Sequence, residues 1–426
     1  GGEPPAFELD IPQEFTTNPA ASATVQTAKY YITGTSNPDV ELTMNGKEVP
    51  RYTKSGSFGV LVDMPLGTTT YTFAQGSTTR QVRLTRVDPS KAVPQPISAI
   101  TKSSIFPTHP LGTNAGETIS ISCTAPAGST VKAAIGNTTI ALQQAAATSA
   151  SGIPATFKGS YKVPETLPAG EVTSLGPVTY TLTYGGKNTT YRSAGEIYAA
   201  GKNAKLAVEV TDFHSAVFTN PTTIDQYVTS LKTGARDYVT GSQGSRLILE
   251  SGGYVESSTI KFMTGAFDLQ NKFLDILYET DDKAEIFTLP GTSTNAYVAD
   301  MTDRGVTVTF YNSAFEHTDY SNLKMELFES VTAQNNQDGS ATLSLMLKPG
   351  ARLWGYDISF DEQGNTILYC KKPVQASAAY ARPLEGISIV VDPGHGGTDP
   401  GALGAAGPDG PVEAKMNLAL AATVKY

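Results

Sequence analysis

The sequence predicts a mainly β, multidomain chain: tandem β-sandwich and small β-barrel modules, followed by the first strand and helix of an α/β domain. Three observations carry this expectation. Only 17% of the 426 residues are charged, while 40 Gly and 26 Pro punctuate the chain. Turn formers set between β-branched residues favour many short strands over helices. Apolar and polar residues alternate in run after run, until the last forty or so positions switch to a continuous apolar run, a glycine-rich loop and a helical period. A chain this long exceeds one hydrophobic core, so roughly three to five domains are expected.

Residues 1–23 form an N-terminal extension. It opens Gly1-Gly2-Glu3-Pro4-Pro5, with neither a basic region nor an apolar core, so no signal peptide is visible; an initial Gly-Gly without Met also fits an export signal already removed. Residues 24–90 read as an antiparallel sandwich. Tyr30-Tyr31-Ile32, Glu41 to Met44, Phe58 to Val62, Tyr71-Thr72-Phe73 and Val82-Arg83-Leu84 are separated by turns at Asn45-Gly46, Pro65-Leu66-Gly67 and Gln75-Gly76. Asn-Gly marks a hairpin because both residues accept positive φ.

After a Pro-containing linker, residues 97–202 repeat the style, with runs at Thr118–Ser122, Val131–Ile135, Thr139–Leu142 and Val178–Tyr184. Tyr71-Thr72-Phe73 followed by Gly76 parallels Tyr180-Thr181-Leu182 followed by Gly185. Two explanations stay open: two related immunoglobulin-like sandwiches, or unrelated hairpins sharing common turn chemistry. Residues 203–262, ending Gly252-Gly253-Tyr254-Val255, resemble bacterial SH3-like domains. Residues 263–375 read as a further β-sandwich, with alternation at Leu323–Leu327 and Thr342–Leu347 and a hairpin closed by Asp361 to Asn365. The sole Trp, Trp354, just before that hairpin, is expected in the core.

Composition excludes some functions. The formal net charge of −9, with no dense Lys/Arg cluster, argues against nucleic acid as a partner. No stretch approaches the roughly 18 consecutive apolar residues of a transmembrane segment. Cys123 and Cys370 are expected as buried free thiols, and nothing in the sequence fixes an oligomeric state.

Chemistry concentrates in residues 386–426. Ile387 to Val391 suits a parallel strand buried on both faces. Asp392-Pro393-Gly394-His395-Gly396-Gly397 follows, then Asp399-Pro400-Gly401-Ala402-Leu403-Gly404, and a helix is expected over Val412–Tyr426 with Glu413 at its start and Met416, Leu418, Leu420 and Val424 supplying apolar surface. Glycines around His395 let its imidazole face a pocket, and a carboxylate at a helix start is a fixed ligand, so His395 and Glu413 are candidate metal ligands. The loop lacks the third glycine of a dinucleotide site and the Gly-Lys-Ser/Thr of a phosphate loop, and the chain has no G-x-S-x-G elbow. Asp281-Asp282 and Asp361-Glu362 are expected in solvated turns, and His109, His214 and His317 as structural or surface histidines.

In order and spacing the block resembles the opening of the zinc-dependent N-acetylmuramoyl-L-alanine amidases of the cell-wall type. One departure is Ala414, where that family commonly has Lys; Lys415 follows. The SH3-like and last sandwich (AMIN-like) modules are similar to those found beside such enzymes. The resemblance implies zinc as cofactor, peptidoglycan as partner, and a bacterial cell wall or surface location. It implies His395 and Glu413 as two zinc ligands, and a second His ligand and a catalytic Glu that these 426 residues do not contain. The chain is therefore expected to hold accessory modules and the start of a catalytic domain, and to be inactive alone. A non-catalytic cell-wall-binding or adhesive stalk is the alternative.

Overall fold

The computed structural model describes residues 14–424 apart from 53, 89–93, 146–149, 225, 375–381, 383, 406 and 408–410. The opening of the chain, part of the 87–96 linker and the composition change at 374–378 thus lie outside the described residues. The chain is mainly β, with several separate sheets and a single α-helix, Glu413–Val424, among the described residues. It divides into two compact units, residues 94–378 and the remainder.

In the second of these, the first sandwich follows from alternation. Lys29–Gly34 pairs antiparallel with Phe58–Asp63, and this two-stranded sheet faces a five-stranded one ordered Ser22–Val25, Thr78–Arg86, Gly67–Gln75, Leu42–Met44, Lys47–Glu48. Ile32, Leu42, Phe58, Phe73, Val82 and Leu84 fill the space between, with the Phe58 and Phe73 rings 5.5 Å apart. The turn at Asn45-Gly46 has φ of 50° and 78°, the left-handed pair its composition predicts.

The next sandwich, in residues 94–378, curls on one strand. Thr138–Gln144 pairs along most of its length with Thr130–Ile135, then its last two residues, Gln143 and Gln144, pair with Lys158 and Phe157 of Pro154–Lys162. The latter strand matches Thr118–Pro126 residue for residue. Tyr180, fully buried in the long hairpin Glu171–Tyr184/Lys187–Ala200, donates its hydroxyl to the carbonyls of Phe106 (2.6 Å) and Ser122 (3.1 Å). In the first sandwich Tyr71 occupies the matching hairpin place and donates to the Asp63 carbonyl at 2.7 Å. The parallel between the two hairpins thus extends to a shared way of satisfying a buried phenol.

Ala207–Val210 to Ile260–Phe262 build a seven-stranded, strongly bent sheet. Arg246, only 4% exposed, ties its loop down through Glu256 (2.6 Å) and the carbonyls of Asn220 and Thr223, with its guanidinium over the Phe218 ring. Leu231, Leu247 and Val255 belong to the same continuous core as Phe287, Phe310 and Leu343 of the following two four-stranded sheets. The last two β modules therefore share one core.

Three expectations are corrected. Leu323–Leu327 is not a strand: the Glu326 and Leu327 N–H groups donate to the fully buried carboxylate of Glu285, which also accepts from the Tyr278 hydroxyl. A buried carboxylate must be satisfied, and it takes the donors a ladder would have used. Trp354 is not in the core but 52% exposed. The run at Ile387–Val391 forms no strand, and Ile389, Val390 and Val391 are 65%, 90% and 43% exposed. A parallel strand needs a neighbour reached by a crossover, and no strand among the described residues pairs with this run. The helix Glu413–Val424 likewise buries no residue.

Both cysteines are buried and free, and burial pushes the Cys123 thiol up to about 12. Asp281 and Asp361 cap hairpin turns through backbone N–H groups, and His109, His214 and His317 are exposed. No helix among the described residues is long and apolar enough to cross a membrane.

Asp237 yields a test of stability. It is 3% exposed, accepts from the Ser251 hydroxyl and the Tyr238 N–H, and burial pushes its carboxyl up to about 6. The folded chain keeps a proton that the unfolded chain has lost, so this contribution is complete below pH ~4 and disappears as the pH rises to ~6. A displacement from 3.8 to about 6 corresponds to roughly 3 kcal/mol. Asp237→Asn is expected to remove that slope. Urea midpoints between pH 4 and 8 measure it, and parallel pH profiles for wild type and variant would contradict the assignment.

Candidate functional site

The loop from Gly394 to Gly404 is built to aim one imidazole. His395 has φ of +67°, a left-handed conformation rare for a residue with a side chain, and Gly396 and Gly397 follow at +138° and +58°. The backbone closes on itself where Gly396 and Asp399 exchange N–H···O=C bonds of 2.8 and 2.9 Å. Strain of this sort persists where surrounding contacts fix it, and it collects at functional sites. Here those contacts are explicit. Asn417, one turn into the helix, donates to the Gly394 carbonyl at 3.0 Å, and the Glu413 N–H donates to the Ala402 carbonyl at 3.0 Å.

Loop and helix bring the two expected ligands together. His395 Nε2 lies 3.3 Å from Glu413 Oε2. The other ring nitrogen, Nδ1, is 2.9 Å from Asp399 Oδ2, while the Ala402 N–H donates to Glu413 Oε2 at 2.8 Å. A Cβ on Gly401 would sit 2.8 Å from both the Glu413 carboxylate and the imidazole, so only glycine fits between them. Glu413 opens the helix, where its charge meets the positive end of the dipole. Pro393, Asp399, Pro400, Val412 and Leu418 line an open cleft of about 620 Å³ beside the imidazole.

This arrangement fits part of a zinc site. Zinc–nitrogen and zinc–oxygen bonds near 2.0–2.1 Å at a tetrahedral angle place two ligand atoms about 3.3 Å apart. The His395–Glu413 separation, an ion-pair distance as it stands, is compatible with that value. A carboxylate on the far ring nitrogen is the usual way a ligand histidine is held in one tautomer. Asp399 and Asn417 are the residues whose roles the sequence left undefined. Asp399 lies in the quoted loop and Asn417 in the expected helix, but only the fold shows the first behind the imidazole and the second tying helix to loop. No group of three or more metal-ligating side chains occurs among the described residues.

The hydrogen bond that His395 Nδ1–H donates to the Asp399 carboxylate holds the imidazole pKa above its ordinary range, the Glu413 carboxylate adds to it, and the same bond lowers the Asp399 carboxyl.

No protein-family model matches the chain, and no curated protein matches it. Solved structures do. A chimeric titin Z1Z2 tandem carrying a decorin peptide is 13% identical over 44% of this chain and 97% of its own, with a TM-score of 0.18. The I-band fragment I67–I69 of titin is 9% identical over 86% and 98%, at 0.17. The N-terminal eight immunoglobulin domains of Down Syndrome Cell Adhesion Molecule are 8% identical over 85% of this chain and 50% of theirs, at 0.16. These are tandem immunoglobulin-type proteins, but overlays this loose carry no argument. The mainly β, multi-sheet class rests on the strand pairing itself.

Replacing Asp399 by Asn should lower the pH midpoint of His395, since an amide stabilises imidazolium less than a carboxylate does. Imidazole carbon-bound proton shifts followed by NMR titration measure it. Identical midpoints in wild type and Asp399→Asn would remove Asp399 from this role.

Proposed function

We propose that this chain is the accessory region and opening catalytic segment of a zinc-dependent N-acetylmuramoyl-L-alanine amidase acting on bacterial peptidoglycan. The observation that carries the proposal is the convergence of His395 Nε2 and Glu413 Oε2 at 3.3 Å, inside a sequence block that resembles the opening of that family. In this account the protein works outside the cell, at the cell wall or surface. The β modules attach it to the wall and position the substrate.

Bound zinc would polarise the lactamide carbonyl and lower the pKa of a water that attacks it. The chain's own residues prepare the site. On binding zinc His395 would give up its Nε2 proton and offer that nitrogen as a neutral ligand, while Nδ1–H donates to Asp399. Glu413 keeps one oxygen toward the imidazole through the Ala402 N–H. Lys415 and Leu418 line the cleft in which the substrate's muramyl lactamide would lie. With two ligands, the chain alone is expected to bind zinc weakly and to leave peptidoglycan uncut.

A non-catalytic wall-binding or adhesive protein is the second reading. It is favoured by the succession of β modules that makes up most of the described chain. The two readings separate in one experiment. The open reading frame is expressed together with whatever coding sequence follows Tyr426 and incubated with purified sacculi, and release of peptides with a free L-alanine amine is measured. The amidase reading predicts release, with His395→Ala and Glu413→Ala each lowering kcat by at least about 100-fold. Retention on sacculi without release, by this longer product, would establish the second.

A further inference from the structure

Trp354 is the sole tryptophan of the chain, and it stands half out of the protein. Most large aromatic side chains among the described residues are at least partly buried, and leaving one exposed forgoes about 1.5–3 kcal/mol. Its surroundings are a cleft of about 790 Å³ with a lining more polar than apolar. One wall is the end of strand Tyr297–Thr302, at Met301 and Thr302, with Asp303 of the turn into strand Gly305–Phe310. The other is the segment Gly350 to Trp354, leading into Gly355–Phe360.

Both walls are fixed by backbone bonds. Trp354 N–H donates to the Lys371 carbonyl (3.0 Å), Ala351 N–H to Lys348 (3.0 Å) and Leu347 N–H to Arg304 (2.9 Å). Trp354 thus stands on rigid structure, with Met301, 42% exposed, lining the same cleft. Asp303 and Arg352 line it too, both exposed, supplying an acceptor and a set of donors.

We propose that this cleft is a saccharide-binding subsite, with Trp354 as the stacking platform. A pyranose ring has an apolar C–H face, which suits an indole. It also carries a rim of hydroxyls that both donate and accept, which suits Asp303 and Arg352 together. A lipid or a protein hot spot would ask for a more apolar lining than this cleft has. The occupant inferred is a glycan strand of the cell wall, a choice that rests on the proposed function. The stacking site itself rests on the cleft.

Because Trp354 is the only tryptophan, indole emission from the full chain reports on this site alone. The probe is a set of peptide-free oligosaccharides of alternating N-acetylglucosamine and N-acetylmuramic acid. A saturable emission change is expected, with Trp354→Ala weakening retention on purified sacculi roughly tenfold, as loss of an anchoring aromatic does. Arg352→Ala should weaken it less. Flat emission throughout the titration overturns the inference, and if the chain is still retained on sacculi the wall-binding reading stands without it. Emission that responds to the oligosaccharides, in a chain that sacculi do not retain, supports the saccharide site and counts against the cell-wall reading.

Discussion

Every sheet in this protein depends on having one face covered. Most strands alternate, so their apolar side chains fall on one face and must leave water together, and among the described residues sheet is set against sheet to achieve this. Phe58 and Phe73 meet across the first sandwich, and Phe287 meets Phe328 in the last, with ring centroids 5.8 Å apart. A fully buried side chain of this size contributes about 1.5–3 kcal/mol. Three of the polar groups trapped alongside are satisfied in turn: Tyr180 by two carbonyls, Arg246 by a carboxylate and two carbonyls, Glu285 by a phenol and two N–H groups.

The same constraint explains the segment that departs from it. Residues 387–391 and the helix Glu413–Val424 carry apolar side chains in the patterns of a buried strand and a core-facing helix, yet Val390 is 90% and Leu418 62% exposed. Gly394 to Gly404 is nevertheless held by local bonds: the Gly396–Asp399 closure, the Asn417–Gly394 contact and the Ala402–Glu413 exchange. The geometry of His395 and Glu413 is therefore set by short-range contacts and does not require a packed sheet beneath it.

Legibility in the sequence followed from how local each feature is. The hairpins at Asn45-Gly46 and Asp361–Asn365 were readable because turn chemistry and strand alternation lie within ten residues of one another. The helix start at Glu413 and the pairing of His395 with it were readable from the block that carries them. Glu285 was not, because its partners Glu326 and Leu327 lie forty residues on, and their alternation imitates a strand. Trp354 was misplaced because composition ranks tryptophan as a core residue, whereas its exposure depends on a cleft made by two distant segments. The shared core of the last two β modules depends on similarly long-range packing.

The central claim is that His395 and Glu413 form one edge of a zinc site. X-ray absorption at the zinc K edge, on the chain loaded with one equivalent of zinc, tests it most directly. The account predicts nitrogen and oxygen scatterers at about 2.0–2.1 Å including one imidazole, with the imidazole signature lost in His395→Ala and an oxygen lost in Glu413→Ala. A spectrum that neither substitution alters would contradict it.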